Sequence, residues 1–247
     1  RFALDFLRKK GFNIIEPPLM IKRKPYEGVV DLADIESVMY KIEDEDLYLI
    51  ATSEHAMGAM FLDEVINKKD LPIKLAGVSP CFRREIGAHG KYTKGLFRMH
   101  QFNKIEQFIF CLPEDSWHWF EEIQKNAEEM YQQLGLHHRV IELCTGDLGS
   151  IKAKSYDIEV WMADGQFREV GSCTNCTDYQ ARRLNVKFRE GAGKPPAGFV
   201  HTLNNTALAT SRTMIAILEQ FQQKDGSVKI PEVLVPYIGG IKVLKKK

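Results

Sequence analysis

CFRREIGAHGKYTKGLFRMHQFNKIEQFIF, residues Cys81 to Phe110, decides how the rest of this chain is read. Both ends alternate with a period of two, as strands do, while Ile86 to Gly95 between them carries three glycines and no apolar run. The stretch predicts a long antiparallel hairpin. Alternate side chains of a strand share a face, so Arg83 and Glu85 line up on the first arm, and Arg98, His100, Phe102, Lys104 and Glu106 on the second. Two guanidinium groups, an aromatic plate and two carboxylates on one sheet surface suit a nucleotide: arginines take phosphate oxygens bidentately, a ring stacks on a base, a carboxylate takes an ammonium group. The same letters also describe a solvated sheet face whose opposite charges pair across strands. The pattern alone leaves both open.

Length and composition bound the rest. The 247 residues carry no Ser/Gly/Pro-rich linker, which predicts one domain, and 44% hydrophobic with 27% charged residues is an ordinary globular balance. With 34 basic against 33 acidic residues, any nucleic-acid contact must be local. No apolar run reaches membrane-spanning length and no secretion signal opens the chain, so no membrane partner is expected. Five scattered cysteines point to a reducing compartment, hence the cytoplasm.

Residues 1–10 read as the end of an amphipathic helix stopped by Gly11; lacking a cap, it implies a start upstream and a chain that is a fragment. A short strand from Phe12 to Glu16 halts at Pro17-Pro18. Residues 21–46 look like an irregular surface excursion. Leu47 to Ala51 then forms a buried strand running into Thr52-Ser53-Glu54 and a helix with Met57, Met60, Phe61 and Val65 on one stripe; Thr52 is a candidate N-cap. Pro113 opens a long packing helix through Phe120, Ile123, Ala127, Met130 and Leu134, and His137 and His138 beyond it are solvated loop residues. Tyr156 to Trp161 and Phe167 to Val170 flank a turn at Asp164-Gly165. Cys173 and Cys176 form a single C-x-x-C without a second pair, which predicts buried thiols and no zinc. A strand from Phe199 to Leu203 gives way at Asn204 to a helix with Arg212 in its second turn and Met214, Ile217, Leu218 and Phe221 inward.

FRRE, the polar loop and FRMHQFNKIE together resemble motif 2 of the class II aminoacyl-tRNA synthetases, in detail that of the seryl branch. GFNIIEPPLM resembles motif 1, with Pro18 at its characteristic position, and Thr52-Ser53-Glu54 resembles the T-x-E element lining the amino-acid pocket. EVGSCTNCTDYQARR, Glu169 to Arg183, is similar to the seryl enzymes alone, as is the tail IPEVLVPYIGG. The segment around Arg212 resembles motif 3, although Asn205, Ala207 and Ala209 stand where the usual glycines would be. The resemblance covers nearly the whole chain.

It implies an α+β class II fold, a mostly antiparallel sheet flanked by helices, with residues 1–247 as one catalytic domain lacking the family's N-terminal tRNA-gripping arm and the start of the motif 1 helix. It implies activation of L-serine by ATP and transfer to the acceptor end of tRNA(Ser), and a homodimer through motif 1. Arg83 and Arg212 are the implied catalytic residues: Arg83 on the α-phosphate and the serine carboxylate, Arg212 on the γ-phosphate and one adenine face. Glu85 reads the adenine amino group, Phe102 stacks on the base, Arg98 holds the phosphate tail, and Arg84, Val170 and Gly171 complete the ATP-binding set. Glu169 and Ser172 are the implied ligands of a magnesium or manganese ion; three apart, they need a bulge or turn at Gly171 to meet one ion. Serine falls to Glu106 for its ammonium group, helped by Thr52, Ser53, Glu54 and Arg83, and to Asn204 and Thr206 for its hydroxyl. Two rivals differ in kind. A paralogue that activates an amino acid for a carrier protein would keep the activation residues, whereas a non-catalytic regulatory module of the same fold would show eroded ones.

Overall fold

The computed structural model describes residues 1–31, 36–85 and 95–245. The polar loop over 86–94 and the last two lysines, Lys246 and Lys247, lie outside the described residues. Helices are α1 (Phe2–Lys9), α2 (Arg23–Val29), α3 (Ser53–Gly58), α4 (Ser116–Gln133), α5 (Tyr179–Leu184) and α6 (Thr210–Gln220). Strands are β1 (Asn13–Ile15), β2 (Met20–Ile21), β3 (Tyr48–Leu49), β4 (Val65–Asn67), β5 (Ile73–Phe82), β6 (Gln101–Cys111), β7 (His138–Glu142), β8 (Lys154–Trp161), β9 (Phe167–Thr177), β10 (Lys187–Arg189), β11 (Gly198–Phe199), β12 (His201–Ala209), β13 (Val228–Lys229) and β14 (Val243–Leu244).

Seven of them form one sheet in the order β1-β5-β6-β12-β9-β8-β7, antiparallel throughout except for the parallel edge pair β1 and β5. Both faces are covered, so β6 is apolar on both sides along its second half. Ile105 and Ile109 enter a core with Phe2 and Leu7 of α1 and Phe120, Ile123 and Met130 of α4. Phe108 and Phe110 point the other way, into a core with Tyr26 and Val29 of α2, Met57 of α3 and Leu184 of α5. The short helices stop halfway along this second face. Beyond them, Phe102, Lys104 and Glu106 continue the Phe108 side of β6 into an open cleft.

The structure revises several sequence expectations. The hairpin is β5 paired with β6, but pairing stops farther from the loop than the alternation implied, while the first arm extends back to Ile73, well before Cys81. β5 ends at Phe82, and β6 begins at Gln101. Arg83, Glu85, Arg98 and His100 are therefore not strand residues, and Glu85 takes a left-handed φ of 48° that no strand accommodates. Residues 21–46 contain α2, whose Gly28 lets Leu184 of α5 approach so closely that a Cβ would lie 2.3 Å from Leu184 Cδ2. α3 ends at Gly58, so Met60 is exposed and Val65 belongs to β4. Asn204 to Ala209 stay in β12, because hydrogen-bonding partners on β6 and β9 override their helical letters. α6 starts at Thr210, which puts Arg212 in its first turn and turns Met214 and Leu218 outward, with Ser211, Thr213 and Ala216 buried instead.

α3 lies on β5 at Gly77, where a Cβ would sit 2.7 Å from Ser53 Oγ and 2.8 Å from Met57 Sδ. Gly77→Ala should therefore cost about 1–3 kcal/mol through overpacking. A urea midpoint unchanged from wild type would show that α3 can lift off without penalty.

Candidate active site

A cleft opens over the uncovered half of that face, walled by Arg83, Glu85, Phe102, Lys104, Glu169 and Arg212. A second groove between α1, α6 and the C-terminal segment is lined mainly by apolar residues such as Ile217, Leu234 and Ile241, and offers little chemistry. In the cleft the groups fall into three zones.

At the outer end lie the arginines and rings. Arg83 places its guanidinium 5.4 Å from the Phe102 ring centroid and donates from Nε to the Ala51 carbonyl at 3.3 Å. Arg212, in the first turn of α6, is anchored to β9, donating to the Glu169 carbonyl at 2.9 Å and lying 3.4 Å from the Glu169 carboxylate. Its guanidinium covers the Phe97 ring at 4.7 Å. Arg98 meets Glu85 at 2.9 Å, so these two converge although neither is in a strand. Arg84 does not join them: it is exposed, and its N–H donates to the Val38 carbonyl.

Along the side wall, β9 carries the bulge that the spacing demanded. The register against β8 slips between Gly171 and Glu169, leaving Val170 as the extra residue. Glu169 lines the cleft, and the bulge sets Ser172 on the same face of β9 with its hydroxyl 3.2 Å from Ser155 Oγ, while the Val170 side chain turns into the core, so only the backbone of Val170 and Gly171 can meet a ligand. Asp157 pairs in register with Ser172, and its Oδ1 is buried without a hydrogen-bond partner. Among the described residues no group of three or more His, Cys, Asp and Glu side chains gathers for a metal. Two hard oxygen donors on one face nevertheless fit a magnesium ion, which takes one or two protein ligands and completes its shell from phosphate and water.

The inner end holds buried charge. Glu106 is 1% exposed, Lys104 Nζ lies 2.5 Å from its Oε2, and Thr206 donates to the same oxygen at 3.2 Å. Asn204 and Gln180 each donate to Glu54 Oε1 at 3.0 Å. Burial and the neighbouring Glu106 charge push Glu54 up to about 7, against a smaller downward pull from Lys104. Thr52 caps α3, accepting from the Glu54 N–H at 3.2 Å, and the Ser53 hydroxyl is buried without a partner. The N-cap reading and the pocket reading of this segment are thus compatible. Cys173 and Cys176 are both buried, their thiols pushed well up by desolvation, and Asn204 donates to Cys176 at 3.8 Å behind the pocket.

Behind this floor runs a set of buried amides. Gln107 donates to Asn205 Oδ1 at 2.8 Å and to the Ile123 carbonyl at 2.9 Å, and accepts from Asn126 at 3.0 Å. It ties β6 and β12 to α4 at the positions next to Glu106, Asn204 and Thr206. Sequence reasoning gave no role to Lys104, Gln180 or Phe97. Alternation already put Lys104 between Phe102 and Glu106, but nothing local marked the other two.

Residues 40–221 match the tRNA synthetase class II core domain (G, H, P, S and T). The chain belongs to this class II synthetase family. It is 63% identical over 245 residues to the serine–tRNA ligase of Methanocella arvoryzae, covering 99% of this chain and 58% of that relative. It is 56% identical over 246 residues to that of Archaeoglobus fulgidus, covering 99% and 54%. Among solved structures, seryl-tRNA synthetase from Pyrococcus horikoshii complexed with ATP superposes with a TM-score of 0.96 at 54% identity, over 100% of this chain and 55% of that one. The cytoplasmic serine–tRNA ligase of Naegleria fowleri in complex with AMP gives 0.92 at 44%, over 100% and 58%. The chain thus spans about half the length of the curated relatives it matches. The class II fold expected from motif 2 is the fold observed, and no helix among the described residues is long and apolar enough to cross a membrane.

In this class II cleft Glu54 binds its proton more tightly folded than unfolded. The proton therefore favours folding below the ordinary value of 4.5, and that contribution fades as pH rises toward 7. Glu54→Gln should remove this pH dependence: the melting temperature of wild type relative to the variant should fall between pH 4.5 and 7. Parallel curves across that window would mean that Glu54 does not titrate there.

Proposed function

We propose that residues 1–247 form the catalytic unit of a serine–tRNA ligase, one that couples L-serine to ATP and delivers it to tRNA(Ser). The observation that carries this reading is the floor of the cleft. A small pocket of buried carboxylate, hydroxyl and amide groups, Glu106 with Thr206 and Glu54 with Asn204, adjoins a guanidinium stacked on a ring, Arg83 on Phe102. The identity to serine–tRNA ligases and the ATP and AMP complexes of the two structural relatives support it.

One oxygen of the serine carboxylate attacks the α-phosphorus of ATP, the bond to the β-phosphate oxygen breaks, and pyrophosphate leaves. A ribose hydroxyl at the tRNA terminus then attacks the seryl carbonyl and AMP leaves. Neither step needs a protein nucleophile, so positioning and charge stabilisation suffice. Arg83 meets the α-phosphate and serine carboxylate, where charge concentrates in the transition state. Phe102 takes one face of adenine and Arg212 the other while also reaching the γ-phosphate; Glu85 reads the adenine amino group and Arg98 the phosphate tail. Since Arg212 now rests on Phe97, and Arg83 on Phe102, nucleotide entry exchanges ring for ring. The backbone of Val170 and Gly171 borders the nucleotide. A magnesium or manganese ion, held by Glu169 and Ser172, would supply charge neutralisation at the phosphates. Glu106 takes the serine ammonium group with the Thr52–Glu54 segment, and Asn204 and Thr206 meet its hydroxyl. Alanine would leave those groups unpaired. Homodimer formation through α1 and β1, and a cytoplasmic setting, belong to the same proposal.

With all twenty amino acids offered singly, ATP–pyrophosphate exchange should respond to serine. Arg83→Ala should lower it by roughly 10² to 10³ with an unchanged circular dichroism spectrum, in the range of losing one preorganised transition-state donor. Near-normal exchange in that variant would take Arg83 out of the mechanism.

A further inference from the structure

Lys104 is a buried cation with a specific place in the cleft. On the cleft face of β6 it stands midway between Phe102 and Glu106, about 7 Å from each along the strand. Its cross-strand neighbours are small, Ser79 on β5 and Ala209 on β12, which leaves room for its side chain beside the strand. It is 6% exposed, and its ammonium lies against Glu106. A lysine ammonium is strongly hydrated, and a buried ion pair recovers little of the desolvation cost. Stability alone therefore gives weak grounds for this pair.

The charge balance of the pocket supplies a reason. Glu54 and Glu106 influence each other electrostatically, and Lys104 acts on both Glu54 and His55. His55 is held neutral by burial and by Lys104 and Arg83, so it brings no cation of its own to the inner pocket. Glu106, a buried carboxylate with a single lysine against it, still has an oxygen to offer a second positive charge. Geometry shows where that charge would go: Lys104 and Thr206 both engage Oε2 of Glu106, which leaves Oε1 as the acceptor for an arriving cation.

We propose that Lys104 is a positioning residue for the amino-acid substrate, pinning Oε2 of Glu106 so that Oε1 receives the substrate ammonium group. The inference rests on the serine-activating reading above and adds to it a residue that acts through Glu106. Lys104 orients the acceptor.

The test is pyrophosphate exchange with Lys104→Ala and with the unbranched isostere Lys104→Met, both checked for wild-type melting behaviour. The serine KM should rise by at least tenfold in both variants while the ATP KM stays within about twofold. Ethylammonium added to Lys104→Ala should recover part of the lost serine affinity, and the same salt should leave Lys104→Met unrescued because its cavity is filled. A serine KM unchanged in the isostere, equal rises in both KM values, or absence of rescue in Lys104→Ala would each overturn the proposal. Should Lys104→Ala fail to fold, the split between the two KM values in Lys104→Met decides alone. Wild-type exchange that ignores serine would instead remove the underlying functional reading, an outcome visible without any variant.

Discussion

Everything in the cleft hangs on β6 being paired on both edges, with β5 on one side and β12 on the other. Hydrogen bonds along both ladders fix which residues look up and which look down. Phe102, Lys104 and Glu106 look into the cleft, while Ile105, Gln107 and Ile109 look toward α4. The short helices α2, α3 and α5 then cover only the far half of the upward face. Where cover ends, the apolar residues of β6 give way to charged ones, so the active surface is the unfinished part of a core.

The charges there are tolerated because each has a partner supplied by fold rather than by flexible surface chains. Glu54 takes two amide donors, Glu106 takes a lysine and a hydroxyl, and Arg212 takes a carbonyl from the bulged strand. Such groups contribute little net stability, since desolvation offsets most of their attraction. What they gain is preorganisation, which lets a site bind developing charge without first reorganising solvent.

How much of this was legible in the sequence depended on whether the signal was local. Period-two alternation located β6 and the Cys81-Phe82 end of β5, and the three-residue spacing of Glu169 and Ser172 called for a bulge at Gly171, which the structure has one residue earlier, at Val170. Alternation failed at Arg83 and Glu85, because a hairpin can stop pairing before its letters stop alternating, and Glu85 needs a backbone conformation that no side-chain pattern announces. α2 was missed since RKPYEGV holds Pro25 and Gly28; its reason for existing is the packing of Tyr26, Val29 and Leu184, which no window of sequence contains. Asn204 to Ala209 read as helix and are strand for the same reason, partners on both sides. Gln180 could not be found at all, since its contacts with Val29, Glu54 and Thr202 are brought together only by the fold.

The amide cluster of Gln107, Asn126 and Asn205 has one more effect. Because Gln107 follows Glu106 directly, a slip of β6 by a single residue would drive a carboxylate against α4 and leave the amide facing the cleft, and both errors would be costly at once. A misaligned sheet is thereby kept from masquerading as a folded but inert molecule. Chains that complete the sheet at all complete it in the one alignment able to work.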